Sequence, residues 1–151
     1  MVCDISSVLF ACTFNSVRSP MAEGLMRHFH GKRIYVESAG VREGEIDPFV
    51  VAVMDEIGID LSHFVSRTFD QLEDSSFDLI ISLSPQAHHR AVEIVRTMAC
   101  EVEYWKTMDP TAVDGSREVI LDAYRQVRDG LSARILDRFP LPGQGIGMGM
   151  G

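Results

Sequence analysis

Cys12 and Arg18 lie at the two ends of a short segment that could bind an oxyanion. Backbone N–H groups of a tight loop before a helix bind anions, and the helix dipole assists them. The same positive field would stabilise a Cys12 thiolate and make it nucleophilic. An arginine guanidinium donates two parallel hydrogen bonds to a tetrahedral oxyanion, a geometry that lysine does not match. The spacing therefore predicts thiolate chemistry on phosphate or another tetrahedral oxyanion.

The predicted phosphate-binding loop consists of Thr13, Phe14, Asn15, Ser16, Val17 and Arg18. Ser19 follows it and could donate its hydroxyl to the Cys12 sulfur. Asn15 suits a position with positive φ, which asparagine tolerates better than most residues. Phe14 could form an apolar wall of the site or pack inward. The alternative interpretation of the segment is a buried cysteine at a strand end and a solvated arginine.

Asp109 is the candidate proton donor. Cleavage of a phosphate ester by a thiolate needs an acid for the leaving oxygen. Asp109 follows the last predicted strand, so it would share a sheet edge with Cys12, and Pro110 stiffens the backbone beside it. An ordinary Asp-Pro turn is the alternative.

The elements that must position these residues alternate along the chain. Apolar runs predict strands over 7–11, 33–38, 77–83 and 100–105, and amphipathic patterns predict helices over 20–29, 47–57, 85–98 and 117–139. Such alternation predicts an α/β fold with a four-stranded parallel sheet covered on both faces, and ligands at the carboxyl ends of its strands. One domain is expected over 1–140, followed by a flexible Gly/Met-rich tail over 141–151.

Composition narrows the classes of partner. The chain of 151 residues carries a formal charge of −8, which argues against nucleic acid or an anionic membrane as the main partner. No apolar run approaches the ~18 residues of a membrane span. Three cysteines are too few for a disulfide framework, so a reducing cytoplasm is expected.

Several motifs carry a resemblance to a known family. They are VLFAC at 8–12, Asn15-Ser16, RSPMAE at 18–23, ESAG at 37–40, IGIDLSH at 57–63, Ser66-Arg67 and Asp109-Pro110. The chain thus resembles the low-molecular-weight protein tyrosine phosphatases and the related arsenate reductases, over nearly everything except the glycine-rich tail. That resemblance implies a three-layer α/β/α domain that needs no metal or cofactor.

The resemblance also implies roles for single residues. Cys12 would be the nucleophile, Arg18 the clamp of the transition state and Asp109 the general acid. Ser19 would assist the thiolate. The residues expected to hold the loop in shape are Asn15, Ser38 and His63. For His63 the alternative is a polar residue at the turn after Gly58.

The sequence departs from both branches of the family. Relay-type reductases carry a cysteine where Val17 stands and further cysteines after the third strand, where this chain has Ser82 and Ser84. Cys100 begins its predicted strand, so it would lie at the opposite sheet edge from Cys12. Thr111 after Pro110 and the segment 41–45 lack the aromatic residues of strict tyrosine phosphatases.

The motifs and these departures together leave three functions to be distinguished. The leading expectation is a phosphomonoester hydrolase that acts on aryl phosphates, including phosphotyrosine, through a cysteinyl-phosphate intermediate. Its substrate would be a phosphorylated protein or a small aryl phosphate. The alternatives are a single-cysteine arsenate reductase that uses an external thiol, and an inactive module that binds phosphorylated ligands.

Overall fold

The computed structural model describes residues 5–73, 76–96 and 99–141. Most of the predicted tail, 142–151, lies outside these ranges. The elements in chain order are β1 (Ser7–Cys12), α1 (Arg18–His30), β2 (Tyr35–Gly40), α2 (Pro48–Asp55), β3 (Leu79–Ser82), α3 (Pro85–Val95), β4 (Glu101–Tyr104) and α4 (Arg117–Arg138). All eight correspond to predicted elements. Two short 3₁₀ helices, Phe69–Gln71 and Pro110–Ala112, were not predicted.

The four strands form one parallel sheet in the order β2-β1-β3-β4. The fold class predicted from the sequence is therefore confirmed. After β1 the chain forms β2 on one side of it and β3 on the other, so the direction of strand order reverses at β1. Ligands of such sheets bind beyond the carboxyl ends of the strands at this reversal. Cys12 is the last residue of β1 and thus lies at that place.

Two apolar cores cover the two faces of the sheet, because successive side chains of a strand point to opposite faces. Val8, Phe10 and Cys12 of β1 pack into the larger core, to which α1, α2 and α4 contribute. Leu9 and Ala11 pack into the smaller core with α3. The result is the expected three-layer arrangement. No helix in the described ranges has both the length and the apolar character needed to cross a membrane.

The helix N-termini differ in how they are capped. Asp47, Ser84 and Ser116 cap α2, α3 and α4, each accepting a hydrogen bond from a backbone N–H two or three residues later. By contrast, Val17 precedes α1 and gives no side-chain cap. The first backbone N–H groups of α1 are therefore not satisfied by a capping side chain, which suits an anion site.

Candidate active site

Residues 12–18 connect β1 directly to α1 and form the floor of the candidate site. None of the backbone N–H groups of residues 13–17 donates a hydrogen bond to another described residue. Gly40 allows the neighbouring strand to approach this loop, since a Cβ there would lie 2.6 Å from the Phe14 carbonyl carbon. A side chain at position 40 would displace the loop. The loop is thus packed from below while its donors stay available for an oxyanion.

Asn15 holds the loop in shape. It is fully buried and has a φ of 57°. Its Nδ2 donates to Ser19 Oγ at 2.8 Å and to Ser38 Oγ at 2.9 Å. Its Oδ1 accepts from the Arg67 backbone N–H at 2.9 Å, and its carbonyl accepts from Ser66 Oγ at 2.6 Å. Four hydrogen bonds therefore hold one residue in the left-handed region and fix the turn.

The Cys12 sulfur faces Ser19. The two side chains lie 2.9 Å apart, and both residues are buried. Since Asn15 already donates to Ser19 Oγ, the Ser19 hydroxyl proton is free to point at the sulfur. A thiolate can only accept, so this contact would stabilise the ionised form of Cys12.

Arg18 reaches from the start of α1 to the loop that carries Asp109. Its Nη1 donates to the Thr107 carbonyl at 3.1 Å, and its Nη2 lies 3.9 Å from Asp109 Oδ2. The other carboxylate oxygen, Oδ1, accepts from the backbone N–H of Thr111 at 3.0 Å and from its hydroxyl at 2.7 Å. Asp109 is thus oriented through one oxygen, and the second oxygen faces the arginine.

Cys12, Arg18 and Asp109 line a single cleft of about 770 Å³. The structure therefore brings together the three residues that the sequence singled out for chemistry. Phe14 is 48% exposed and lines this cleft. Of the two alternatives for Phe14, it forms an apolar wall of the site and does not pack inward.

Two further aromatic residues of the cleft were not predicted. Phe49 at the start of α2 and Tyr124 in α4 line it, with ring centroids 5.3 Å apart. Tyr124 donates its hydroxyl to Asp47 Oδ2 at 2.7 Å. Burial and the Asp47 carboxylate raise the pKa of the Tyr124 hydroxyl, which keeps it protonated as a donor. Nothing in the sequence assigns Phe49 or Tyr124 to this cleft.

His63 does not take the position that the resemblance implied. It is exposed and lines a separate cleft of about 540 Å³. Among the described residues, His63 makes no hydrogen bond to residues 12–18. Ser66 and the Arg67 backbone hold Asn15 instead. The physical reason is that the turn at 61–64 points the His63 ring outward, and the chain returns to the loop only three residues later. Ser38, by contrast, contacts Asn15 as expected.

Glu23 extends the support of the loop away from the cleft. Ser38 accepts from Asn15 and donates its own hydroxyl to Glu23, and Arg27 lies 3.0 Å from the same carboxylate. Burial raises the pKa of Glu23, although the Ser38 hydrogen bond and the Arg27 charge oppose the shift. Glu23 lies within a motif of the family resemblance, but nothing in the sequence indicated this role for it.

The described cysteines are far apart in the fold. Cys12 ends β1, whereas Cys100 directly precedes β4, so the two lie at opposite edges of the parallel sheet. Burial, with the Asp78 and Glu101 carboxylates, raises the pKa of the Cys100 thiol. Ser84 lies beside the loop, its Oγ accepting from Thr13 Oγ1 at 3.1 Å. The residue beside the loop at this position is therefore a serine and not a cysteine, while Cys3 lies outside the described residues.

A family model described as low molecular weight phosphotyrosine protein phosphatase matches residues 7–138. The chain belongs to this family. The match spans every strand and helix of the domain, and it confirms the family resemblance predicted from the motifs. In this member of the family, the loop of residues 12–18 and the Asp109-Pro110 pair line one cleft.

Curated relatives of this family member are named for a different reaction. It is 36% identical over 128 residues to an arsenate reductase of Halalkalibacterium halodurans, covering 85% of this chain and 91% of the relative. It is 31% identical over 131 residues to a glutaredoxin arsenate reductase of Synechocystis, covering 87% and 94%. These names favour the predicted alternative, a reductase, over the leading expectation of a phosphatase.

Solved structures include both branches. An arsenate reductase in a phosphate-binding state superposes with a TM-score of 0.73 at 29% identity, covering 88% of this chain and 95% of the other. A low molecular weight protein tyrosine phosphatase from T. tengcongensis gives 0.71 at 26% identity, covering 86% and 95%. The shared fold is established, and the choice between the two reactions rests on the residues of the cleft.

Proposed function

We propose that this chain hydrolyses phosphomonoesters of aryl alcohols, including phosphotyrosine, through a covalent phosphate ester on Cys12. The observation that carries the proposal is the single cleft lined by Cys12, Arg18 and Asp109 above a loop with free N–H donors. Three aromatic walls, Phe14, Phe49 and Tyr124, favour an aryl group as the carrier of the phosphate. This arrangement offers a nucleophile, an oxyanion site and a proton donor to one substrate.

The first step transfers the phosphoryl group to sulfur. The Cys12 thiolate forms a sulfur–phosphorus bond while the bond from phosphorus to the aryl oxygen breaks. Arg18 and the loop N–H groups bind the three outer oxygens, whose charge grows in the transition state. Protonated Asp109 gives its proton to the departing oxygen, from Oδ2, because Oδ1 is held by Thr111. The product alcohol leaves neutral.

The second step restores the enzyme. Water attacks phosphorus, and the Asp109 carboxylate takes one of its protons. The sulfur–phosphorus bond breaks, inorganic phosphate leaves, and the Cys12 thiolate returns with Ser19 donating to it. Asp109 ends the cycle protonated and ready for the next ester.

A second candidate function is arsenate reduction with an external thiol, and the names of the curated relatives favour it. The Cys12 thiolate would displace water from arsenate to form a sulfur–arsenic(V) bond. An external thiolate would then attack the Cys12 sulfur, releasing arsenite and leaving a mixed disulfide that a second thiol reduces. The two electrons that reduce arsenic come from the two thiols joined in that disulfide. Cys100 cannot serve as the second thiol, because it lies at the other edge of the sheet.

Two assays on one preparation decide between these functions. One follows hydrolysis of p-nitrophenyl phosphate, and the other follows arsenate reduction with thioredoxin, glutathione or mycothiol supplied. Cys12→Ser should lower ester turnover by roughly 10⁴-fold or more, since the nucleophile is lost. The same exchange at the other edge of the sheet, Cys100→Ser, is the matched control and should keep turnover.

Each outcome has one meaning. Ester hydrolysis that depends on Cys12, without arsenate turnover, supports the phosphatase. Arsenate turnover with an external thiol makes the reductase the main function and the ester activity a consequence of the shared oxyanion site. No activity in either assay, with phosphate still bound, would support a module that only binds phosphorylated ligands.

A further inference from the structure

Acidic side chains stand on both walls of the cleft. Glu45 and Asp47 belong to one wall, formed by the segment that leads into α2. Asp109 and Asp114 belong to the opposite wall, formed by the segment between β4 and α4. When the phosphoryl group of a substrate binds to residues 12–18, the rest of that substrate extends out of the cleft between these two walls.

The residues that line the cleft include fewer cations than carboxylates. Arg18 is the only cation among the described residues that line it, and it faces Thr107 and Asp109 at the floor. Arg117 does not line the cleft, but its guanidinium carbon lies 5.4 Å from the centre of the Phe49 ring in one wall. Once an oxyanion binds Arg18, the other charged residues that line the cleft are all acidic.

Three of the four wall carboxylates, those of Glu45, Asp47 and Asp114, form no ion pair with a described residue, whereas Asp109 Oδ2 lies 3.9 Å from Arg18 Nη2. Glu45 and Asp114 are exposed, and neither makes a side-chain hydrogen bond or ion pair with another described residue. Asp47 accepts hydrogen bonds from the Phe49 backbone and from Tyr124, and both donors are uncharged. Groups of the substrate next to the phosphorylated ring therefore meet negative potential on both sides.

We propose that this cleft selects phosphorylated aromatic residues flanked by cationic side chains and rejects those flanked by acidic ones. The inference rests on the proposed ester hydrolysis and names its substrate class. The aromatic walls hold the ring and the loop holds the phosphoryl group, while Glu45, Asp47 and Asp114 set the charge of the neighbouring residues. Cationic side chains on the substrate speed its association with the acidic cleft and bind there favourably, whereas acidic side chains on the substrate are repelled.

Two phosphotyrosyl peptides of equal length test the inference, one with lysines and one with glutamates beside the phosphotyrosine. The measured quantity is kcat/KM for phosphate release, divided by that for p-nitrophenyl phosphate with the same enzyme. At low salt the lysine peptide should be preferred by about tenfold, from several charge pairs separated by water. At ~0.5 M salt, where screening is strong, the preference should fall to about twofold.

Variants locate the source of the preference. Glu45→Gln with Asp114→Asn should reduce the low-salt preference to about threefold, since one unpaired carboxylate is lost from each wall. The matched control is Glu101→Gln with Asp137→Asn, the same exchanges at the start of β4 and the end of α4. It should keep the tenfold preference, because it removes the same two negative charges from the chain without changing a residue of the cleft.

Equal constants for the two peptides at low salt, or an unchanged preference in the Glu45 and Asp114 double variant, would overturn the inference while p-nitrophenyl phosphate is still hydrolysed. A wild-type chain that hydrolyses neither peptide nor p-nitrophenyl phosphate would overturn the proposed function and this inference with it. The reference substrate thereby distinguishes the two failures.

Discussion

Asn15 shows how much of the site depends on single side chains. Its positive φ would cost a bulky residue conformational energy, and its amide offsets that cost by bonding to Ser19, Ser38 and Arg67 at once. The amide cannot rotate without losing partners on both sides. A buried network of this kind specifies one loop conformation, so the oxyanion donors are arranged before the substrate arrives.

Asp109 leads to a prediction about leaving groups. Asp109→Asn keeps an Oδ1 that can accept from Thr111 but removes the proton that the ester oxygen receives. We expect kcat/KM for phenyl phosphate to fall by roughly 10²–10⁴-fold, and that for p-nitrophenyl phosphate by about tenfold or less, because nitrophenolate leaves without protonation. Steady-state kinetics on both esters measures the difference, with Asp137→Asn as the control. Equal losses on the two esters would mean that another group is the acid.

At the scale of elements, α2 and α4 both contribute side chains to the cleft and are hydrogen-bonded to each other. Tyr124 of α4 donates to Asp47 at the start of α2. Beyond the end of α2, Glu56 accepts from Arg125 Nη2 at 2.9 Å and from Arg128 Nη1 at 2.8 Å. These bonds lower the pKa of Glu56 to about 2, with those from Arg125 as the larger cause. Both ends of α2 are thus bonded to one stretch of α4, residues 124–128.

Glu56 predicts a dependence of stability on pH. Since its pKa is lower in the folded chain, its contribution is complete above the ordinary value near 4.5 and is lost as pH falls toward 2. At pH 7, Glu56→Gln should lower Tm by about 2–4 °C, a small effect because the group is partly exposed. Near pH 2 the wild type and Glu56→Gln should have the same Tm.

Melting curves from pH 2 to pH 7 measure this difference, and Glu101→Gln at the exposed start of β4 is the matched control. A Tm difference between wild type and Glu56→Gln that stays constant over the whole range would contradict the assignment. It would show that the exchange acts through packing rather than through the charge of Glu56.

At the scale of the whole molecule, the parallel sheet separates the two described thiols. Cys12 lies at the carboxyl edge and Cys100 at the amino edge. The length of β4 alone is roughly 13 Å at the usual rise per residue. A disulfide needs Cα atoms within about 7 Å of each other. No rotamer change closes such a gap, so an internal disulfide between them would require unfolding of the sheet.

This separation predicts the fate of Cys12 under oxidation. Peroxide should convert it to sulfenic acid and then to sulfinic acid, with recovery of activity only where an external thiol intercepts the first product. Peptide mass spectrometry of the folded, oxidised protein measures the products, and Cys100→Ser should oxidise at the same rate as the wild type. Rapid formation of a linked Cys12–Cys100 peptide would contradict the fold-based expectation.

The sequence predicted more of the site than its short motifs suggest. Strand and helix patterns are local, and a parallel sheet places the carboxyl ends of its strands at one edge. Cys12 and Asp109 could therefore be assigned to the same edge although 97 positions separate them in the chain. The loop residues and the eight elements followed from the same local signals.

Contacts between distant elements were decided only by the tertiary structure. Phe49 and Tyr124 meet because α4 packs on α2, and the direction of those side chains depends on that packing. The His63 side chain points outward, whereas Ser66 and the Arg67 backbone, which follow it in the same irregular segment, donate hydrogen bonds to Asn15. By itself the sequence determined the fold and the position of the loop at the carboxyl edge of the sheet, because these depend on local pattern and strand direction. The walls and charge of the cleft depend on how helices dock, and that is settled by the whole core.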